Sequence, residues 1–299
     1  MFHGVVPEVN FGFSANHLSV DSFERQIQYL RKNFKVIKLQ EAFDLNRTGR
    51  KQEDLSVVIT FDDGYANNFE YAFPILKKYN VPATIFTVTS QLIDPRFVLW
   101  YDFVDFSKNV VPLQFFIDRV VTSKGADAAG KIKSWNDLKT LLKSFTQQEK
   151  ESILSVDELL KQKILADVPK EFFQMLNTQQ MKVMVDSGLI EMGSHTHSHP
   201  NLDVLKIEDA KYELEYSKRI LQTELNYEVT SIAFPDGAYN EKVKELSLGA
   251  GYKNLLAVDY KLPSDKSDAH ILPRYCISNT TTAESNIVQI YNSFRKKGF

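Results

Sequence analysis

Apolar residues along this chain fall in short unbroken runs more often than in alternation. The runs LSVVITF (55–61), ATIFTV (83–88), LIEMGS (189–194), SIAF (231–234) and NLLAV (254–258) are mostly branched or aromatic. Such a run fits a strand covered on both faces, as in a parallel sheet. Between the runs the spacing becomes helical. VDSFERQIQYLRKNF sets Phe23, Ile27 and Leu30 on one face, and NFEYAFPILKKYN follows the first run after a short turn. TQQMKVMVDSG opens at a Thr178 cap and stops at Gly188, and IEDAKYELEYSKRILQTEL reads as a long charged amphipathic helix. Strand then helix, repeated, predicts an α/β fold with a parallel sheet and outer helices. A barrel and a doubly wound sheet both fit this rhythm, and either gathers functional groups at the carboxyl ends of its strands.

The rhythm breaks from about 103 to 176, where the pattern is helical and no strand is predicted. SWNDLKTLLKSF and TQQEKESIL open with capping patterns, Ser134 with Asp137 and Thr146 with Glu149. This segment is expected to be a helical insertion within a single domain spanning 1–299.

Composition narrows the function classes. With 43% hydrophobic and 12% aromatic residues the chain can bury a core, which argues against disorder. A net charge of −2 leaves no footprint for nucleic acid. The single cysteine, Cys276, excludes an internal disulfide and a thiolate zinc site, so any metal must be held by His, Asp or Glu. No apolar run is long enough for a membrane span. The opening MFHGVVPEVN lacks a basic segment followed by an apolar one. The expectation is a cytoplasmic protein, or one whose export segment lies upstream.

Candidate chemistry concentrates at three strand ends. In GSHTHSHPN (193–201), His195 and His199 are four residues apart and would converge if the chain turned just past Thr196. Neutral imidazoles are common zinc ligands. In VVITFDDGYANN, Asp62 and Asp63 end the most apolar run. Asp-Gly suggests a hairpin, but the residues that follow are helical in pattern, so the pair sits at a strand-to-helix junction. Two adjacent buried carboxylates repel, and a cation relieves this. One aspartate plus the two histidines makes a three-ligand site with open positions, as in catalytic zinc, and leaves the other aspartate free as a general base. In SIAFPDGAYN, Asp236 sits in a turn between a strand and a helix starting near Asn240, and backbone N–H groups there could serve a developing oxyanion.

TFDDGY, GSHTHSHPNL and AFPDGAYN, in this order, resemble the first three motifs of the polysaccharide deacetylase family, carbohydrate esterase family four. FHGVV, VPATIFTV, LWYDFVDF and ILPRYCIS extend the likeness over most of the chain apart from the insertion. The arrangement is most similar to the poly-N-acetylglucosamine deacetylase branch. The resemblance implies a distorted (β/α)7 barrel and a metal-dependent hydrolase that removes acetyl groups from an N-acetylated sugar or polysaccharide. It implies Asp62 as general base and Asp63, His195 and His199 as ligands of one divalent ion, zinc first, with cobalt, manganese or nickel as alternatives. His197 falls on a variable position and is expected to hydrogen-bond nearby rather than bind metal. The Asp236 N–H is implied as oxyanion donor, and Trp100 and Tyr65 as substrate-binding. The family arginine two residues before the motif-three proline is Ala233 here, with Arg274 as a possible replacement. The family's leucine-x-histidine motif is not evident, and neither His3 nor His270 fits it well. A degenerate protein that only binds glycan and a scaffold with a structural zinc are readings from other classes. The carbohydrate itself is not legible, and the insertion is expected to cover the cleft and tune its choice.

Overall fold

The computed structural model describes residues 1–299 except 11, 14–15, 50–54, 278–282 and 298–299, so Ser278 of ILPRYCIS lies outside the described residues. Six strands, Ile59–Phe61, Ala83–Thr87, Ile190–Ser194, Ser231–Ala233, Asn254–Ala257 and Ile271–Pro273, lie side by side in chain order. All neighbours are parallel. A doubly wound sheet reverses its order at a switch point, and this one does not; the winding is that of a barrel. Residues 1–2 bridge the two edges. Phe2 N–H donates to Thr60 O at 2.7 Å and Asp62 N–H to Phe2 O at 3.0 Å, while Ile277 N–H donates to Met1 O at 2.9 Å. They stand where the seventh stave of a distorted (β/α)7 barrel belongs.

The run 55–61 divides in two. Ser56–Val57 pairs with Lys35–Val36 outside the main sheet, and only Ile59–Phe61 joins the barrel. Inside, Phe86, Ala233 and Leu256 from three strands meet Leu39 and Phe43. Gly193 makes room for this: a Cβ there would lie 2.4 Å from the Phe86 ring. The helix Leu39–Thr48 covers the amino ends of the strands, where Arg47 donates to Lys253 O at 2.8 Å and to Asn254 Oδ1 at 2.6 Å. Helices Val20–Asn33, Phe73–Tyr79, Thr178–Asp186 and Ile207–Leu225 pack their apolar stripes around the outside. The cap of the third is Asn177, not Thr178, because Asn177 and Gln180 satisfy each other's backbone N–H groups.

Between the strands Ala83–Thr87 and Ile190–Ser194 the chain forms helices Trp100–Ser107, Leu113–Lys124, Ala126–Ala129, Trp135–Leu142, Gln147–Leu154 and Glu158–Leu165, then a turn at Lys170–Phe172. The helical insertion is therefore present and begins at Trp100. Ser134 accepts from Asp137 N–H, and Thr146 and Glu149 form a full capping box. The insertion has its own apolar cluster, including Trp100, Phe106, Phe116, Leu138 and Ile153. No helix among the described residues is long and apolar enough to cross a membrane.

Candidate active site

Each residue of interest follows a barrel strand at its carboxyl end: Asp62 and Asp63 after Phe61, His195 after Ser194, Asp236 beyond Ala233, Arg274 after Pro273. The backbone there is strained. Among the described residues six non-glycines have positive φ, and Asn80 and Asn226 merely end helices. The other four, Asp63, Thr196, His199 and Asp236, are all at this mouth of the barrel. Such conformations cost about 1–3 kcal/mol each and persist only where surroundings enforce them. Gly64 shows the enforcement: its φ is +84°, and a Cβ would lie 2.1 Å from Thr87 Oγ1. The turn expected after His195 occurs at Thr196, with φ 69°. It is held by Glu213, whose carboxylate accepts from His197 N–H at 2.8 Å, Ser198 N–H at 2.9 Å and Ser198 Oγ at 2.5 Å.

That turn brings both imidazoles to Asp63. Asp63 Oδ1 lies 3.6 Å from His195 Nε2 and 3.4 Å from His199 Nε2, and all three residues are buried. His195 Nδ1 is 2.8 Å from Ala233 O. A carbonyl only accepts, so Nδ1 carries the proton and Nε2 presents a lone pair. Burial pushes this imidazole down to about 4, despite the pull of Asp62 and Asp63, so it is neutral near pH 7. Burial alone would raise Asp63; the hydrogen bond from His199 and the nearby imidazoles outweigh it and keep Asp63 an anion. A carboxylate oxygen thus faces a bare ring nitrogen, which is unfavourable without a cation between them. An ion about 2.1 Å from each of three tetrahedrally placed atoms spaces those atoms about 3.4 Å apart, which matches the two contacts. Asp63 Oδ2 and His199 Nδ1 are buried without a hydrogen-bond partner among the described residues. One carboxylate and two imidazoles suit a divalent ion of the zinc type.

Asp62 faces another way. Arg274 grips it with two parallel bonds, Nη1 to Oδ1 at 2.6 Å and Nη2 to Oδ2 at 2.7 Å, taking the place that Ala233 leaves open. Asp62 Oδ2 is still 4.0 Å from His195 Nε2, beside the ligand cluster. Burial would raise the Asp62 carboxyl, but Arg274 and then His195 hold it below its ordinary value. His3 is close enough to stabilise both the Asp62 and Asp63 anions, and its Nδ1 is buried without a partner among the described residues. His270 is bonded to Lys253 O at 3.1 Å, at the amino end of the strands, away from this site. The Asp236 backbone N–H donates to no atom found among the described residues. The side chain of Asp236 does not cap the next helix, whose cap is Asn240; it pairs with Lys143 of the insertion at 2.6 Å.

Two expectations need correction. Trp100 is only 6% exposed and lies in the insertion's apolar cluster, with Lys150 Nζ 4.7 Å from its ring centre. It opens a helix whose apolar face turns inward, so the indole packs as core and offers no wall to a sugar. Tyr65 is wholly buried and donates to Asp102 Oδ2 at 2.7 Å, so its ring and hydroxyl are spent inside the protein. His197 Nδ1 sits 2.9 Å from Thr89 Oγ1 and stays out of the ligand cluster, as its position in the motif suggested. Glu213, Lys143 and Lys150 escape a sequence reading. For Glu213 a signal exists: it is an acid on the stripe of Ala210, Leu214, Ser217 and Leu221, where an acid is out of place.

The chain has relatives in sequence and its fold has counterparts among solved structures. The chain is similar to YxkH of Bacillus subtilis, at 24% identity over 80% of this chain, and spans 59% of that protein's length. It is similar to the poly-beta-1,6-N-acetyl-D-glucosamine N-deacetylase of Staphylococcus aureus (strain MRSA252), at 22% identity over 94% of this chain and 73% of that protein. Its fold is similar to that of the deacetylase PplD of Streptococcus pyogenes in complex with acetate, with TM-score 0.62, 18% identity and coverage of 96% and 94%. IcaB from Ammonifex degensii has TM-score 0.61, also at 18% identity, over 96% of this chain and 93% of that one. The family model for polysaccharide deacetylase matches residues 49–255, from before the paired aspartates to beyond the Asp236 turn. A match over that much of the sequence makes this chain a member of the polysaccharide deacetylase family.

Proposed function

We propose that the protein hydrolyses the acetamido group of an N-acetylated sugar within a polysaccharide and releases acetate, with one divalent metal ion held by Asp63, His195 and His199. The observation that carries this reading is the approach of Asp63 Oδ1 to two imidazole nitrogens, at 3.6 and 3.4 Å, beside a second carboxylate fixed by Arg274. Family membership and the named substrate of the Staphylococcus aureus relative support the choice of an N-acetylated glucosamine polymer. Zinc is the first expectation for the metal, with cobalt, manganese or nickel as alternatives. When bound, such an ion polarises a carbonyl and makes water more acidic.

The chain's own groups do the rest. Asp62, kept ionised and oriented by Arg274, accepts a proton from the attacking water. The N–H of Asp236 donates to the acyl oxygen as charge develops there. His3, on the N-terminal segment that joins the strand of the aspartate pair to that of Arg274, donates the proton that the departing amine needs; its buried Nδ1, without a partner among the described residues, supports this role. A test follows acetate release from a β-1,6-linked N-acetylglucosamine oligomer together with metal content. Asp62→Asn is expected to keep its metal and lose about 10²–10⁴-fold in turnover. His195→Ala is expected to lose the metal. Near-normal turnover in the first variant, or full metal occupancy in the second, overturns the assignment.

A further inference from the structure

A carboxylate next to an oxyanion donor is an odd choice, because its charge opposes the charge that forms in the reaction. The insertion answers this with two lysines. Lys143, just past the helix Trp135–Leu142, places Nζ 2.6 Å from Asp236 Oδ1. Lys150, on the helix Gln147–Leu154, is 1% exposed, and its Nζ has no hydrogen-bond partner among the described residues. It lies over the Trp100 ring, where a cation is welcome. Burial pushes Lys150 down to about 8, while Asp236 and Glu213 pull it back up, so it remains largely an ammonium at neutral pH. Asp236 itself sits at φ 53°, a conformation that its neighbours must hold.

We propose that Lys143 is a positioning residue for the reaction: its ammonium neutralises the Asp236 carboxylate and draws it aside, so that the Asp236 N–H alone faces the acyl oxygen, with Lys150 as a second cation behind it. This rests on the hydrolytic reading above and assigns the helical insertion an electrostatic part in it. A double-mutant cycle isolates the effect, since both pair members can be changed separately. Lys143→Met is expected to lower kcat roughly tenfold with little change in KM, metal content or melting temperature. In an Asp236→Asn background the same change is expected to cost no more than about threefold, because the charge to be offset is gone. Lys150→Met removes a buried unpaired charge, so it is expected to raise the melting temperature while lowering kcat, a split that a packing role would not produce.

A methylphosphonamidate analogue of N-acetylglucosamine, which mimics the tetrahedral state, supplies a readout independent of turnover. Its affinity is expected to follow the same cycle. Equal losses from Lys143→Met in both backgrounds, or a change confined to KM or melting, overturn the proposal. If the unmodified protein turns over substrate but shows no coupling, only this inference falls. If it binds the analogue with coupling yet releases no acetate, the hydrolytic reading falls and the charge pairing stands. If it does neither, both fall.

Discussion

Asp62 and Arg274 are 212 residues apart in the chain and 2.6 Å apart in space. The aspartate pair and the two histidines are legible in the sequence because each pair sits in one short stretch, at the end of an apolar run. Arg274 is less so: nothing local to it says that its side chain crosses the barrel mouth to another strand. The same limit hides Lys143, whose partner is 93 residues away. The Arg274–Asp62 pair is nearly inaccessible, at 6% and 5% side-chain exposure, so solvent screens it little. Breaking a buried pair by removing one partner costs about 3–5 kcal/mol, and Arg274→Met is expected to show that loss in urea unfolding at pH 7. The pH dependence has a definite sign. Arg274 depresses the Asp62 carboxyl, so the pair's stabilisation is present above the ordinary value of 3.8 and fades as pH falls through the lowered one. Without Arg274, burial is less opposed and Asp62 titrates higher. The acid limb of the kcat/KM profile is then expected to move to higher pH in Arg274→Met. An unmoved limb would mean that Asp62 is not the group whose ionisation limits the reaction.

At the scale of elements, boundaries follow local chemistry closely. The helix Ile207–Leu225 matches its amphipathic run, and Ser134 and Thr146 cap the helices they precede. What periodicity does not convey is what a stripe touches. The inward stripe of Ile207–Leu225 carries Glu213 into the strained turn between His195 and His199, where three donors converge on one carboxylate. The helix thus fixes the spacing of the two imidazoles proposed to hold the metal, without itself reaching them. Partners of this kind commonly change metal affinity about 10–100-fold. Glu213→Ala is expected to weaken zinc binding by that much, measured against a competing chelator, with the barrel still folded. Glu213→Gln keeps an acceptor for the two backbone N–H groups and is expected to retain most of the affinity. Equal affinity in Glu213→Ala and the unmodified protein would show that the turn holds itself.

Across the whole molecule, the two largest apolar clusters among the described residues lie one around the barrel strands and one within the helical insertion. The α/β rhythm anticipates the first. The closing of the barrel by residues 1–2 is too short a feature for any periodicity to reveal, and the division of 55–61 between two sheets needs partners that lie far off in the chain. The second cluster explains why Trp100 invites misreading. An aromatic residue just beyond a strand, near a site for sugars, suits a stacking wall, yet the same residue begins the insertion's first helix and is buried there with Phe106 and Phe116. Only its burial separates these roles, and the roles predict different measurements. As a core residue, Trp100→Ala is expected to cost about 3–5 kcal/mol in urea unfolding. Trp100→Phe keeps more of the packed volume and is expected to cost clearly less. Because Lys150 rests on the indole ring, loss of the ring is also expected to loosen the insertion's hold near Asp236, seen as a lower kcat in the alanine variant. Unchanged urea midpoints with a raised KM would instead place the indole against the sugar.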